Sequence, residues 1–375
     1  MGETTKPRHR PRVSEEDFEY FNKIKEHFGS FEGAWKEFES GYFKLYDKHN
    51  KAKTERDLAK KRLKAARQEV DTLTTRAVIE QELSLLRAAQ IAYEIKENPD
   101  LDSESTAVYL LTDWHCEEEV EAATVNFLNE ANLDIMDDRI SKLGPKGLKI
   151  IRAKRQLTKV NNLVLFFGGD LLSGGIHEEL RLNSLLSPIE AIVWLQERIY
   201  ALIDFFREHG DFNHITVVCT RGNHGRMTKQ KYYSIDYKHS LEQLLYNQMV
   251  MHYKDEDDLT VLTTKGYDIQ LPIYNKKYRF HHGDFKRYGG GIGGLFIPVY
   301  KGIASLNDSG GMAACDFMGH FHRHVADRSK FVVNGSLIGY NMYARKNSLS
   351  YRPPLQVLCF IEKTRGLTTP DPIFF

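Results

Sequence analysis

Five short stretches of this chain end an apolar run on side chains able to bind a metal. Tyr109–Cys116 reads YLLTDWHC, Leu163–Leu171 reads LVLFFGGDL, and Ile215–Arg226 reads ITVVCTRGNHGR. Tyr278–Asp284 reads YRFHHGD and Cys315–His322 reads CDFMGHFH. Asp113 and His115 stand two apart at the end of an extended run, so their side chains point to the same side. A lone D-x-H arises by chance in many chains; five such endings in one chain do not. Glycine stands beside four of them, where the backbone must turn sharply and come close to an ion or anion. Carboxylate, amide and imidazole donors suit a borderline divalent ion better than Ca²⁺ or a thiolate-bound metal.

The elements that position these residues follow from the same runs. Short apolar stretches without a helical period read as buried strands, and open α/β sheets hold their ligands at the carboxyl ends of strands. Val120–Leu133 and Ile135–Val160 read as helices interrupted at Gly144-Pro145, as a parallel crossover requires. Pro188–Glu208 is amphipathic, with Ile192, Leu195, Ile199, Leu202, Phe205 and Phe206 as its core face. Ser240–His252 reads as a helix, and Val261–Leu271 and Lys277–His282 as sheet. Phe331–Asn334 and Leu355–Ile361 are expected to close a second sheet, and residues 364–375 form a tail. Lys286–Gly294 formally contains G-x-G-x-x-G but follows a ligand motif instead of a first strand, which makes it a glycine-rich loop and not a dinucleotide site.

In front of this region stands a different composition. Residues 1–13 form a basic tail with Lys6, Arg8, Arg10 and Arg12 on alternate positions. Residues 14–53 read as three short helices broken at Gly29-Ser30 and Ser40-Gly41, resembling a helix-turn-helix unit; the third carries Lys44, Lys48, His49, Lys51 and Lys53. Residues 54–104 form a long helix and linker. Leu63, Ala66, Val70, Leu73 and Ala77 keep a 3-4 spacing, so this helix offers a short coiled-coil seam for a homo-oligomer or for the chain's own body.

Composition bounds the rest. The 375 residues have room for one large domain and an appendage, and net charge is +1, so any nucleic-acid surface is a local patch. Four scattered cysteines without a CxxC argue for a reducing compartment. The polar N-terminus and the lack of any run near ~18 apolar residues predict a cytoplasmic protein with no membrane partner.

The ordered set D-x-H, G-D, G-N-H, H-G and G-H-x-H over residues 105–340 resembles the calcineurin-like metallophosphoesterase signature. GDLLSGGIHEEL (169–180), GNHGR (222–226) and NGSLIGYN (334–341) are similar to a phage-encoded, repair-exonuclease-like subgroup. The resemblance implies an α/β sandwich of two mixed β-sheets flanked by helices over 105–363, with an N-terminal α-helical appendage. It implies two divalent ions, Mn²⁺ first, with Fe, Zn, Ni or Mg in the same role. Carried over by motif, Asp113, His115 and His322 hold one ion, Asn223, His282 and His320 the other, and Asp170 bridges. His224 is then the general acid, and His281 faces the core. Arg226 and Lys229 follow within one turn and are candidates for phosphate contacts, as His177, just after Asp170, is for the cleft lining; the alternative for these three is solvated helix-start residues. The family often has an acidic residue after G-N-H; Gly225 departs from this, so whatever orients His224 comes from elsewhere. The activity implied is phosphodiester hydrolysis, with nucleic acid, DNA favoured, as substrate. The alternatives are a small phosphoester or phosphoprotein substrate, or a nucleic-acid-binding protein with an idle site.

Overall fold

The computed structural model describes residues 15–28, 31–88, 103–285, 294–327, 330–368 and 370–375. The basic tail, the linker around Asn98-Pro99 and most of the glycine-rich loop lie outside the described residues. The chain divides into two units between Ile95 and Lys96.

The first unit is two helices, α1 (Glu15–Phe28) and α2 (Phe31–Ala88). The three short helices expected for residues 14–53 are not formed: α2 runs through Ser40-Gly41 as one helix of 58 residues. A single helical glycine costs only about 1 kcal/mol against alanine, which the flanking turns outweigh. Phe38 is buried, with the rings of Tyr20, Trp35 and Tyr42 around it at centroid separations of 5.9–6.3 Å. Further along α2, Leu63, Val70 and Leu73 of the predicted seam are exposed.

The second unit holds two sheets. Its elements in order are β1 (Glu104–Leu111), α3 (Leu133–Ser141), α4 (Leu143–Lys154), β2 (Lys159–Phe167), α5 (Glu178–Asn183), α6 (Pro188–His209), β3 (His214–Cys219) and α7 (Leu241–His252). Then come β4 (Leu259–Thr263), β5 (Asp268–Ile273), β6 (Lys276–His281), α8 (Phe296–Gly310), β7 (Cys315–Met318), β8 (Val325–Asp327) and β9 (Phe331–Val333). The chain ends with α9 (Met342–Lys346), β10 (Leu355–Glu362), β11 (Gly366–Leu367) and β12 (Asp371–Phe374). The first sheet runs β11-β10-β1-β2-β3-β4, with β12 also on β10; the second runs β5-β6-β7-β9-β8. Both are mixed: β1 to β4 are parallel with β10 antiparallel to β1, and β6, β7 and β9 are parallel with β5 and β8 antiparallel at the edges.

Period-2 alternation explains the layers. Ala107, Tyr109 and Leu111 of β1 pack with α3, α4, α6 and α7, whereas Val108 and Leu110 pack with Tyr278, Phe280, Phe317 and Val332 of the second sheet. A strand buried on both faces reads as a continuous apolar run, which is why β1, β2 and β3 showed no polar alternation. Leu295, Val299 and Ile303 cover the outer face of the second sheet against Met318, Phe331 and Val333. Helix α6 opens with a Ser187/Glu190 capping box and Pro188 in its first turn, then buries Ile192, Leu195, Ile199, Leu202 and Phe206.

Four expectations change. Leu355–Ile361 does not close the second sheet; β10 lies beside β1 in the first. Residues 364–375 are not a tail, because β11 and β12 both pair with β10 and Ile373 is buried; Pro372 is tolerated on an outer strand, where no ladder N–H is needed. Val120–Leu133 is not one continuous helix; only Ala122–Val125 makes a short 3-10 turn. Val120 and Ala131 form an antiparallel bridge, and Val120, Val125 and Ala131 bury against Ile338 and Tyr340. The helix break likewise falls at Lys142, leaving Gly144-Pro145 in the first turn of α4, where proline lacks no needed N–H. All four cysteines are free and buried, Cys116 among them. Among the described residues, no helix is long and apolar enough to cross a membrane.

Candidate metal centre

The site is built where β1, β2, β3, β6 and β7 end. Each strand stops at a turn that carries one motif, and the turns interlock through glycine. A Cβ on Gly222 would lie 2.1 Å from Asp170 Oδ1, and one on Gly319 would lie 2.2 Å from Asp113 Oδ2. No other residue lets these loops approach the two carboxylates so closely.

Five non-glycine residues here adopt the left-handed region: Asp113 (φ 56°), His115 (48°), Asp170 (53°), His320 (70°) and His322 (48°). Such backbone costs of order 1–3 kcal/mol per residue and persists only where the surroundings impose it. The imposing contacts are visible for the first turn. Gln356 of β10 accepts from Thr112 N (2.9 Å) and Trp114 Nε1 (3.2 Å), while its amide donates to Thr112 O (3.1 Å). Leu337 N donates to Asp113 O (3.0 Å), and Asn334 Nδ2 donates to Thr112 Oγ1 (3.0 Å). The NGSLIGYN stretch is thus the brace behind the D-x-H turn.

Two clusters of donors result. One ligand atom from each of Asp113, His115 and His322 lies within 4.8 Å of the others, and the same holds for Asp170, His282 and His320. Within them, His115 Nε2 stands 3.1 Å from His322 Nε2, and His282 Nε2 stands 2.9 Å from Asp170 Oδ2 and 3.3 Å from His320 Nδ1. The clusters touch: His320 N donates to both oxygens of Asp113 at 2.9 and 3.0 Å. Asn223 follows Gly222 into the same place, and its Oδ1 is buried with no hydrogen-bond partner among the described residues. A buried amide oxygen left unpaired is costly in a protein interior and is what a cation would satisfy.

The chemistry of the donors fits divalent ions. His282 Nδ1 meets Gly168 O at 2.8 Å and so carries its proton there, turning Nε2 toward Asp170. His115 Nδ1 meets Ser173 Oγ at 2.8 Å, and that hydroxyl donates to Glu118 Oε2 at 2.8 Å, which frees His115 Nε2 for its cluster. Such outer partners fix tautomer and ring orientation. Burial, then the neighbouring His224 and His322, holds His115 well below the usual imidazole range; burial and His282 push His320 down to about 4. Burial alone would lower His282 too, but Asp170 raises it to about 10. That proton sits between His282 and Asp170, where a cation would displace it on binding.

His224 lies at the edge of the first cluster, its ring 4.8 Å from that of His115 and nearly perpendicular to it. Its backbone N donates to Asp170 Oδ1 (2.7 Å), and Nδ1 donates to Ser173 O (3.0 Å). The Ser173 carbonyl therefore orients His224 and leaves Nε2 as the nitrogen that can deliver a proton. Gly225 is glycine for a reason in the same place: a Cβ there would meet Glu242 Cγ at 2.7 Å. The Glu242 carboxylate of α7 thus lies directly beside Gly225.

Glu242 was not legible as a site residue; it reads as an ordinary helix-start acid after Ser240. It is fully buried, and its two oxygens accept from Leu171 N (2.8 Å) and Gly222 N (2.7 Å), the neighbours of Asp170 and Asn223. Burial, reinforced by Asp170, raises its pKa to about 7. Glu242→Ala strands two buried N–H groups, each costing about 1–3 kcal/mol. The expected result is a melting temperature lowered by several degrees and weaker metal retention, read by calorimetry and elemental analysis; an unchanged melting temperature and metal content would remove Glu242 from this role.

The other residues singled out from sequence fall differently. His281 is buried in β6 with Nε2 3.2 Å from Asp316 Oδ1, outside both clusters. Arg226 is half-buried and donates from Nη1 to Asn223 O, which places it against the centre. His177 and Lys229 are exposed, His177 at the N-cap of α5, and no described contact joins either to the clusters.

Two mixed sheets face to face, with ligand turns at the ends of both and two donor clusters in contact between them, decide the architecture. This is the two-sheet α/β sandwich that the metallophosphoesterase resemblance implies. No protein-family model and no curated protein matches the chain. Among solved structures it is similar to a dimetal phosphatase from Danio rerio, at 11% identity and a TM-score of 0.36, over 72% of this chain and 99% of that one. It is also similar to a zinc complex of Vps29 from Entamoeba histolytica, at 10% identity and a TM-score of 0.29, over 72% and 98% of the two chains.

Proposed function

We propose that this chain is a dinuclear metal-dependent phosphodiesterase that hydrolyses nucleic acid, DNA favoured, with Mn²⁺ as the first-choice ion and the cytoplasm as its place of action. The observation that carries the chemistry is the pair of touching donor clusters with His224 beside them. Bound divalent ions would supply charge to polarise the phosphoryl group and to lower the pKa of an attacking water. Asp113, His115 and His322 would hold one, and His282, His320 and Asn223 the other, with Asp170 shared. His224, held through Nδ1 by Ser173 O, protonates the leaving oxygen from Nε2. Arg226, fixed against Asn223, steadies the phosphate. Assay of the protein with Mn²⁺ on single- and double-stranded DNA, RNA and a chromogenic phosphodiester tests this reading. Turnover of the chromogenic ester alone would move the substrate to the small-phosphoester class.

Support for nucleic acid comes from the subgroup resemblance and from α2. Between Lys44 and Arg67 the sequence has ten Lys and Arg against three Asp and Glu, and the described side chains there are nearly all exposed. Cations on one helix displace counterions from phosphates, each contact adding about 0.9 to the slope of log affinity against log salt on duplex DNA. Lys60→Ala, Lys61→Ala and Lys64→Ala together should flatten that slope by up to about three. An unchanged slope would take α2 out of DNA binding. The exposed seam of α2 supports self-association as the companion role, which light scattering of the same proteins reads directly.

A further inference from the structure

The segment after the G-N-H turn, RMTKQKYYSIDYKH (226–239), is a closed loop with its ends pinned. Leu241 N donates to Gly225 O (2.8 Å), Met227 N donates to His239 O (2.7 Å), and Arg226 bridges Ser240. Both ends thus stand directly beside His224. Its middle is tied to the other ligand loop as well: Lys231 forms an ion pair with Asp284, two residues past His282.

This loop shows solvent what a protein normally hides. Tyr233 is 81% exposed and Tyr232 49%. Cations sit over the rings: Lys231 Nζ lies 5.7 Å from the Tyr233 centroid, and Lys238 and Lys265 lie 5.8 and 5.7 Å from that of Tyr237. The only acid in the segment, Asp236, is engaged by Arg221 (3.3 Å) and by Tyr237 N (2.6 Å). What remains outward is rings interleaved with positive charge.

We propose that loop 227–239 is a platform for single-stranded nucleic acid, with unpaired bases stacked on Tyr232 and Tyr233 and phosphates tracking Lys229, Lys231 and Lys238 toward the metal centre. A base offers its face to a ring only when it is not stacked in a duplex, and such stacking tolerates any sequence. The proposal rests on the phosphodiesterase reading of the adjacent centre and names its substrate as a single strand or a single-stranded end. It also places Lys229, which touches neither cluster, on the path of the substrate.

The test is binding by the full chain, without added metal, of a short labelled single strand and of the same sequence as a duplex. Tyr232→Ala with Tyr233→Ala should weaken single-strand binding by roughly tenfold for each ring lost and duplex binding far less. Tyr232→Phe with Tyr233→Phe should keep wild-type affinity, because the ring and not the hydroxyl makes the stack. Equal losses on both nucleic acids, equal damage by Phe and Ala, or wild-type affinity in the Ala variant would each overturn the platform. So would a fall in apparent mass by light scattering without loss of binding, which would make the loop a contact between copies. Wild-type protein that binds no single strand would overturn it too. A protein that binds single strands through these rings yet hydrolyses no phosphodiester with Mn²⁺ would keep the platform and remove the enzymatic reading.

Discussion

Asp170→Asn should leave a folded protein that has lost at least one metal ion and nearly all turnover. The fold survives for identifiable reasons. Asp170 sits at φ 53°, a region asparagine tolerates well, and an amide oxygen can still accept from His224 N as Asp170 Oδ1 does. What goes is the negative charge. Burial opposes that charge, yet His282 and the other imidazoles hold the Asp170 carboxyl well below the usual range. A neutral amide facing His282 Nε2 cannot bind two cations, and carboxylate is the only donor type in this centre that readily bridges them. Elemental analysis of the purified variant beside wild type decides the matter: two ions retained at wild-type affinity would sink the assignment.

His224→Ala should keep both ions and slow hydrolysis by roughly 10²–10⁴-fold, the range for a positioned proton donor. The loss depends on the leaving group. An alkoxide leaving from a nucleic-acid backbone needs a proton, whereas nitrophenolate departs without one, so the deficit should shrink on a chromogenic diester. His224 contributes a backbone donor to Asp170, which alanine keeps, and a side-chain bond to Ser173 O, which alanine loses without touching either cluster. Equal losses on both substrates would take His224 out of the acid role and make it a support for His115, whose ring it abuts.

The sequence by itself determined what is local. Each ligand motif closes an apolar strand, and β1, β2 and β3 are buried on both faces, so runs such as YLL and LVLFF announce themselves without alternation. The helical core face of α6 is likewise a local signal. Where the local signal is weak, the reading failed. Ser40-Gly41 looks like a helix stop, but its cost is small beside the long helix-forming stretch around it. Val120–Leu133 has helix-like spacing, yet its apolar residues are consumed by Ile338 and Tyr340, more than 200 positions away in the chain.

Only the tertiary structure decided how distant segments complete the centre. Strand β10 reads as any apolar strand; its pairing with β1 brings Gln356 behind the Asp113 turn. Glu242 sits in a helix of ordinary composition, and its meaning appears only when α7 lays it across Leu171, Gly222 and Gly225. Ser173 orients His224 through a main-chain carbonyl, an atom every residue has, so no residue type could reveal it. Motifs report side chains that must have a given chemistry. The braces that hold those side chains use backbone atoms and contacts that many residue types can make, and these are fixed by the packing of the whole unit.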